Sequence, residues 1–304
     1  MWTRAWTGLL GGLTTLALAM SIATTADAAP KPPATTPQYV AVGDSYAAGD
    51  GAGNYLSDGT TCHRSLLGYP GLVASAGRFN LNLQACSGAV TTDVTTRQLG
   101  TLSAKTAFVT ITIGGNDIGF SDVITTCLGT NTTACLTAVA GAQAKTTNDL
   151  PAKLDVVFAA VRTKAPNAKI VATNYPRLFN GRDCSLLTSF TSDEMTQLNA
   201  GADALSGAIS AAATRAGIGF SDVRTPFVGH AVCDSTPWVR NAQLFNQYES
   251  FHPNATGYKS GYTPQVSSSI GLTTSTTTTG TPTFTTGGQT SSDTTRGTVR
   301  VTRS

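Results

Sequence analysis

A serine, a glycine, an asparagine and a late histidine stand in short polar turns of this chain. They are Ser45 in Gly43-Asp44-Ser45, Gly88 in Ala85-Cys86-Ser87-Gly88-Ala89, Asn116 in Gly114-Gly115-Asn116-Asp117, and His252 in Phe251-His252-Pro253. These residue types suit acyl transfer. A serine hydroxyl is a weak nucleophile until a base takes its proton; Ser45 would attack and His252 would be the base. The tetrahedral intermediate needs fixed donors at its oxygen. The backbone N–H groups of Ser45 and Gly88 and the side-chain amide of Asn116 would supply three. Gly88 suits a spot where a side chain would block close backbone approach. Asn116 suits it because an amide donates without titrating. Each piece also has a duller reading. Gly-Asp-Ser is a common turn, Asp44 and Asp117 brace their turns, and His63 and His230 are surface or packing residues. The order of the pieces along the chain favours the chemistry.

That order matters because of the elements between the turns. Residues 39–42 form a short apolar run that ends at Gly43-Asp44-Ser45, which reads as a buried strand and its exit. Residues 81–85 alternate and read as a second strand. Residues 108–113 are β-branched and stop at Gly114. Further strands are expected at 168–173 and 218–223. Helices are expected at 65–77, 147–164 and 192–216, the last capped by Ser192 with Glu194 in its first turn. Strands that alternate with helices imply an α/β fold, a parallel sheet covered on both faces. In such sheets sites collect beyond the carboxyl ends of the strands. The first three turns then share one edge, and a closing loop can bring His252 over them.

The rest of the 304-residue chain narrows the field. It is 40% hydrophobic and 12% charged, with a net charge of +3. That is too apolar for a disordered protein. No basic field or Lys/Arg cluster exists to draw nucleic acid or an anionic membrane. Arg4, an apolar run over 8–23 and Ala26-Asp27-Ala28 read as a secretory signal over residues 1–28. The competing reading is a membrane anchor, but the run is shorter than the ~20 residues a span needs. A Pro-rich lead-in is expected over 29–37, one domain over 38–266, and a disordered Thr/Ser-rich tail over 267–304. The six cysteines imply disulfides in an oxidising compartment. Pairing neighbours in order closes the shortest loops, giving Cys62–Cys86, Cys127–Cys135 and Cys184–Cys233. Zinc is disfavoured, since no C-x-x-C occurs and there are only 3 histidines.

GDSYAAGDG at 43–51, the glycine of ACSGA, GGND at 114–117 and the late FHP together resemble the GDSL esterases, or SGNH hydrolases. The resemblance spans about residues 38–260. It implies a three-layer flavodoxin-like fold, with Ser45, Gly88, Asn116 and His252 as the four namesake residues. The secreted, six-cysteine character is similar to actinobacterial extracellular lipases and phospholipase A1 enzymes of that family. The resemblance implies carboxylic esters of lipids as substrates, no metal or organic cofactor, no membrane insertion after signal cleavage, and a monomer. Tyr46, Tyr55, Phe120, Tyr175 and Phe179 are candidates to line an acyl groove. One departure stands out: the family usually has Asp three residues before the His, and here that position is Glu249. Glu249 would orient the imidazole as a longer carboxylate, or a main-chain carbonyl at Ser250 would do so and leave a Ser–His pair. A carbohydrate acetyl esterase and a non-catalytic surface-binding domain are the alternatives on the same fold.

Overall fold

The apolar run 39–42 has no exposed surface, as befits a central parallel strand covered on both sides. In the computed structural model, which describes residues 36–272, 283–286 and 297–300, it lies in β1 (Gln38–Gly43). In chain order there follow α1 (Ser45–Ala48), α2 (Tyr69–Gly77), β2 (Asn80–Leu83), α3 (Thr91–Asp93), β3 (Thr106–Thr112), α4 (Phe120–Cys127), α5 (Thr132–Asn148), α6 (Leu150–Lys164), β4 (Lys169–Thr173), α7 (Ser192–Arg215), β5 (Gly219–Ser221) and α8 (Thr263–Ile270). The five strands pair in parallel in the order β5-β4-β3-β1-β2. This is the flavodoxin-like order, whose strand sequence reverses direction between β1 and β3. Helix α8 packs on β4 and β5 and on α2, while α7 packs on the same strands and on α5 and α6. The sheet is thus the middle layer of three.

Several details differ from the sequence reading. The expected helix over 147–164 is two helices: α5 ends at Asn148 and α6 starts at Leu150, with Pro151 in its first turn. Helix α4 and most of α5 were not expected. Helix α5 is rich in Thr and Ala and carries little apolar periodicity; Asn131 caps it, accepting from Ala134 N–H at 3.0 Å. Helix α4 carries an apolar face of Phe120, Val123, Ile124 and Cys127, but it is short. Helix α7 is capped by Thr191, not Ser192. Thr191 Oγ1 accepts from Glu194 N–H at 3.2 Å and Glu194 Oε2 accepts from Thr191 N–H at 2.8 Å, a reciprocal capping box.

The domain end expected at residue 266 falls inside α8, where Val266 and Ile270 are both buried. Beyond it, β6 (Thr283–Thr286) pairs in parallel with β2 and β7 (Gly297–Arg300) pairs antiparallel with β6. An edge strand offers unpaired N–H and C=O groups, and threonine-rich segments fit a pleated backbone. These two strands are the part of the tail beyond residue 272 that the structure describes. The expected signal, residues 1–28, most of the lead-in and the remaining tail lie outside the described residues.

The structure pairs Cys62 with Cys86, Cys127 with Cys135, and Cys184 with Cys233. The second bond joins α4 to α5. The first ties the loop after α1 to the turn that carries Gly88. Among the described residues no helix is long and apolar enough to cross a membrane.

Candidate active site

Ser45 is the first residue of α1, directly after β1. Asp44 is the N-cap, and its Oδ1 accepts from Tyr46 N–H at 3.1 Å. Its other oxygen accepts from the Tyr175 hydroxyl. Burial pushes the Asp44 carboxyl up to about 7, against the pull of the Tyr175 and Tyr46 hydrogen bonds. Asp44 thus holds the turn. The Ser45 N–H lies in the first helical turn, where an amide has no intrahelical acceptor.

The next two turns meet beside it. Gly88 has φ +78°, the left-handed region that glycine enters without strain. An added Cβ there would meet no protein atom within 4 Å. Within the protein itself, the backbone conformation is what asks for glycine here. Asn116 Nδ2 donates to Ala89 O at 3.0 Å, which leaves its second N–H for another acceptor. Asp117 accepts from Thr91 N–H at 2.9 Å and from Thr91 Oγ1 at 2.7 Å. The turn holding Asn116 and the turn holding Gly88 are thereby tied to each other.

The fourth piece arrives from the far end of the domain. His252 Nε2 lies 2.7 Å from Ser45 Oγ. Its Nδ1 lies 2.9 Å from the Ser250 carbonyl oxygen, so Nδ1 carries the hydrogen and Nε2 is free to accept from the serine. Phe251, between them, has φ +59°, a rare value for a residue with a side chain. That turn lets the Ser250 carbonyl face the imidazole two residues on. Phe251 is pinned by burial against Phe179 and Phe190 and by the Tyr46 hydroxyl, which donates to its carbonyl at 2.7 Å. The Tyr46 ring also lies against the imidazole, with centroids 4.7 Å apart. Burial lowers the His252 pKa below 6.5, while Asp50, the Ser250 carbonyl and Glu249 pull it back up. The ring is neutral at pH 7.

The Glu249 carboxylate is engaged with Tyr55 and Arg240. Its Oε1 accepts from the Tyr55 hydroxyl at 2.6 Å and its Oε2 lies 3.5 Å from Arg240 Nε. Arg240 in turn donates to Gly51 O at 2.6 Å. The longer glutamate ties the loop that carries His252 to the loop after α1. Glu249→Gln is therefore expected to lower kcat less than tenfold on a dissolved ester, a carboxamide still accepting from Tyr55. A loss of orders of magnitude in steady-state assays would assign the carboxylate to the reaction.

Two residues escaped the sequence reading. Gly51 has φ +84°, and a Cβ there would lie 2.5 Å from Pro253 O and 3.0 Å from His252 Cβ. Asp50 is fully buried; its Oδ2 accepts from Ser87 Oγ at 2.7 Å and lies 3.7 Å from His63 Nδ1. Both belong to the Gly49-Asp50-Gly51 segment, whose glycines were the available signal. His63 stacks on Tyr248, and His230 stacks on Trp238 as a packing residue.

Ser45, Gly88, Asn116 and His252 all open onto one cavity of about 740 Å³. Its walls are aliphatic: Ile118, Val123 and Ile124 near α4, Val139 on α5, and Leu198 and Leu205 on α7. Of the five candidate aromatics, Tyr46, Phe120 and Tyr175 line this cavity. Tyr55 is engaged with Glu249, and Phe179 packs against Phe190 and Phe251. A hydroxyl on a neutral imidazole, beside donors that need no reorganisation, can carry out acyl transfer to water.

Residues 41–260 match the GDSL-like Lipase/Acylhydrolase family. "Lipase 1" of Streptomyces coelicolor is 42% identical over 260 residues, which covers 84% of this chain and 96% of that protein. The crystal structure of phospholipase A1 from Streptomyces albidoflavus superposes with a TM-score of 0.74 at 39% identity, covering 77% of this chain and 100% of that one. The extracellular lipase of Streptomyces rimosus gives a TM-score of 0.74 at 40% identity, with the same coverage of 77% and 100%. The chain belongs to the GDSL-like lipase and acylhydrolase family. Its activity is that of a carboxylic ester hydrolase.

Proposed function

We propose that this ester hydrolase works through an acyl-enzyme on Ser45, with His252 as the base and the Ser250 carbonyl as its orienter. Its substrates are acyl esters of lipids. The observation that carries the reading is the 2.7 Å contact of His252 Nε2 with Ser45 Oγ at the end of an apolar cavity. Ser45 Oγ attacks the ester carbonyl carbon as its proton passes to His252 Nε2. The C=O electron pair moves to oxygen, where the N–H groups of Ser45 and Gly88 and the Asn116 amide receive it. The imidazolium holds its Nδ1–H on the Ser250 carbonyl and gives the other proton to the leaving alkoxide. Water repeats the sequence on the acyl-enzyme, releases the acid and restores Ser45. An ordered carbonyl does part of what a carboxylate does in a triad, since it fixes the tautomer and the ring. The route uses side chains and backbone alone.

The aliphatic walls and the relatives' names together support acyl chains longer than acetyl. A panel of p-nitrophenyl acetate, butyrate and palmitate, with triolein and phosphatidylcholine, tests this. Hydrolysis of the butyrate or longer chains is expected. Activity confined to acetyl esters would support a carbohydrate acetyl esterase instead. A fluorophosphonate is expected to label the native protein and spare Ser45→Ala; no labelling would leave a surface-binding domain without catalysis. The three disulfides suit an oxidising compartment, and we read the protein as a secreted monomer.

Because burial holds His252 below its usual 6.5, kcat/KM is expected to be level from pH 7 to 8 and to fall by half only below pH 6.5. The loss comes with protonation, on the acid side. Asp44 titrates nearby, so the profile of Asp44→Asn, which keeps an acceptor for Tyr46 N–H, should retain the same acid limb.

A further inference from the structure

Six large apolar side chains are exposed among the described residues, and four of them stand on two loops at one place: Leu186 and Leu187, Leu244 and Phe245. Leu187 and Leu244 line the mouth of the cavity that ends at Ser45. Their chain neighbours Leu186 and Phe245 are not part of its lining and stand at 103% and 92% of full exposure. Single exposed apolar residues are ordinary on a protein surface, whereas a cluster marks a contact.

The two loops are built to hold their tips. The Cys184–Cys233 disulfide closes the base of the first, and Asn241 Nδ2, at the start of the second, lies 3.7 Å from both sulfurs. Asp183, although exposed, is engaged within the loop: it accepts from the Ser185 N–H at 3.1 Å, the Thr188 hydroxyl at 2.7 Å and the Phe190 N–H at 2.8 Å. Its negative charge is spent on shaping the loop. Residues 241–248 carry no charged side chain, and residues 184–190 carry none either. An uncharged apolar ridge, tethered at its base and continuous with an acyl-sized cavity, has the form of a contact with hydrocarbon.

We propose that Leu186 and Phe245 form a ridge that inserts into the surface of an aggregated lipid and sets the cavity mouth over it. The occupant is the surface of a phospholipid bilayer, reached from the side of the headgroups. The proposal rests on the reading of the protein as a hydrolase of lipid esters. Insertion of the ridge spares the acyl chain a crossing of water, since the chain passes from the aggregate along Leu187 and Leu244 into the cavity.

The experiment measures binding apart from catalysis. Ser45→Ala is mixed with zwitterionic phosphatidylcholine vesicles and sedimented, and the same is done after adding Leu186→Ser and Phe245→Ser. The double substitution is expected to weaken partitioning at least tenfold, and 1 M NaCl is expected to leave the parent's binding intact. With Ser45 in place, Leu186→Ser/Phe245→Ser should hydrolyse dissolved p-nitrophenyl butyrate within twofold of the parent, yet lose at least tenfold on the vesicles. Val156→Ser, at an exposed apolar site on α6, should change neither. Unchanged partitioning of the double variant would overturn the ridge. So would a parent that elutes as a dimer and becomes a monomer on substitution, since the patch would then join two copies. A protein inert towards dissolved esters would overturn the hydrolase reading instead, and the sedimentation result would stand by itself.

Discussion

Ser45→Ala is expected to lower kcat on p-nitrophenyl butyrate by about 10⁶-fold, with the thermal midpoint unchanged within a few degrees. The Ser45 hydroxyl contacts His252, and its side chain sits at the end of the cavity. Removing its oxygen leaves the fold its packing and takes away the nucleophile. His252→Ala should match that loss, because a hydroxyl without its base stays protonated at pH 7. The double variant should be little worse than either single one, as the two act as a unit. Residual turnover above water would come from the donors alone. Additive losses in single-turnover kinetics would mean that the two groups serve separate steps, contrary to the 2.7 Å contact.

Asn116→Ala is the next largest, at about 10²–10³-fold in kcat, or about 2.7–4 kcal/mol, with little change in KM. The amide serves the oxygen only when it becomes an anion, so the loss falls on the chemical step. The same side chain also donates to Ala89 O, and the variant could in principle slacken the Gly88 turn. Asn116→Asp removes both donations and so bounds the combined loss. It keeps the size, cannot donate when ionised, and sets a charge against the developing anion. It is expected to be at least as slow as the alanine variant. A variant that lost KM and kept kcat would assign Asn116 to substrate binding.

Much of the site was legible because a parallel sheet converts chain order into place. Once the runs at 39–42 and 108–113 are strands, their exit turns must lie on one edge. Ser45 and Asn116 then stand on neighbouring strand ends, since β1 pairs with β3. The disulfides were legible because each joins a cysteine to the next one along the chain. Helices α4 and α5 were not, although both line the cavity. In α5 the apolar residues are few and sit among threonines and alanines, so no face stands out; α4 does carry an apolar face of Phe120, Val123, Ile124 and Cys127, but it is short.

The types of the reacting groups, their order and the α/β alternation that gathers them are properties of the amino-acid sequence, because local pattern and strand direction act over short stretches. The partner of the imidazole was decided elsewhere. Every residue owns a carbonyl, and only the left-handed turn at Phe251, held by Phe179, Phe190 and Tyr46, aims that of Ser250 at His252. Glu249 stood at the expected spacing and was drawn off by Tyr55 and Arg240. Competition among distant groups for one carboxylate is settled in space, where spacing along the chain has no say.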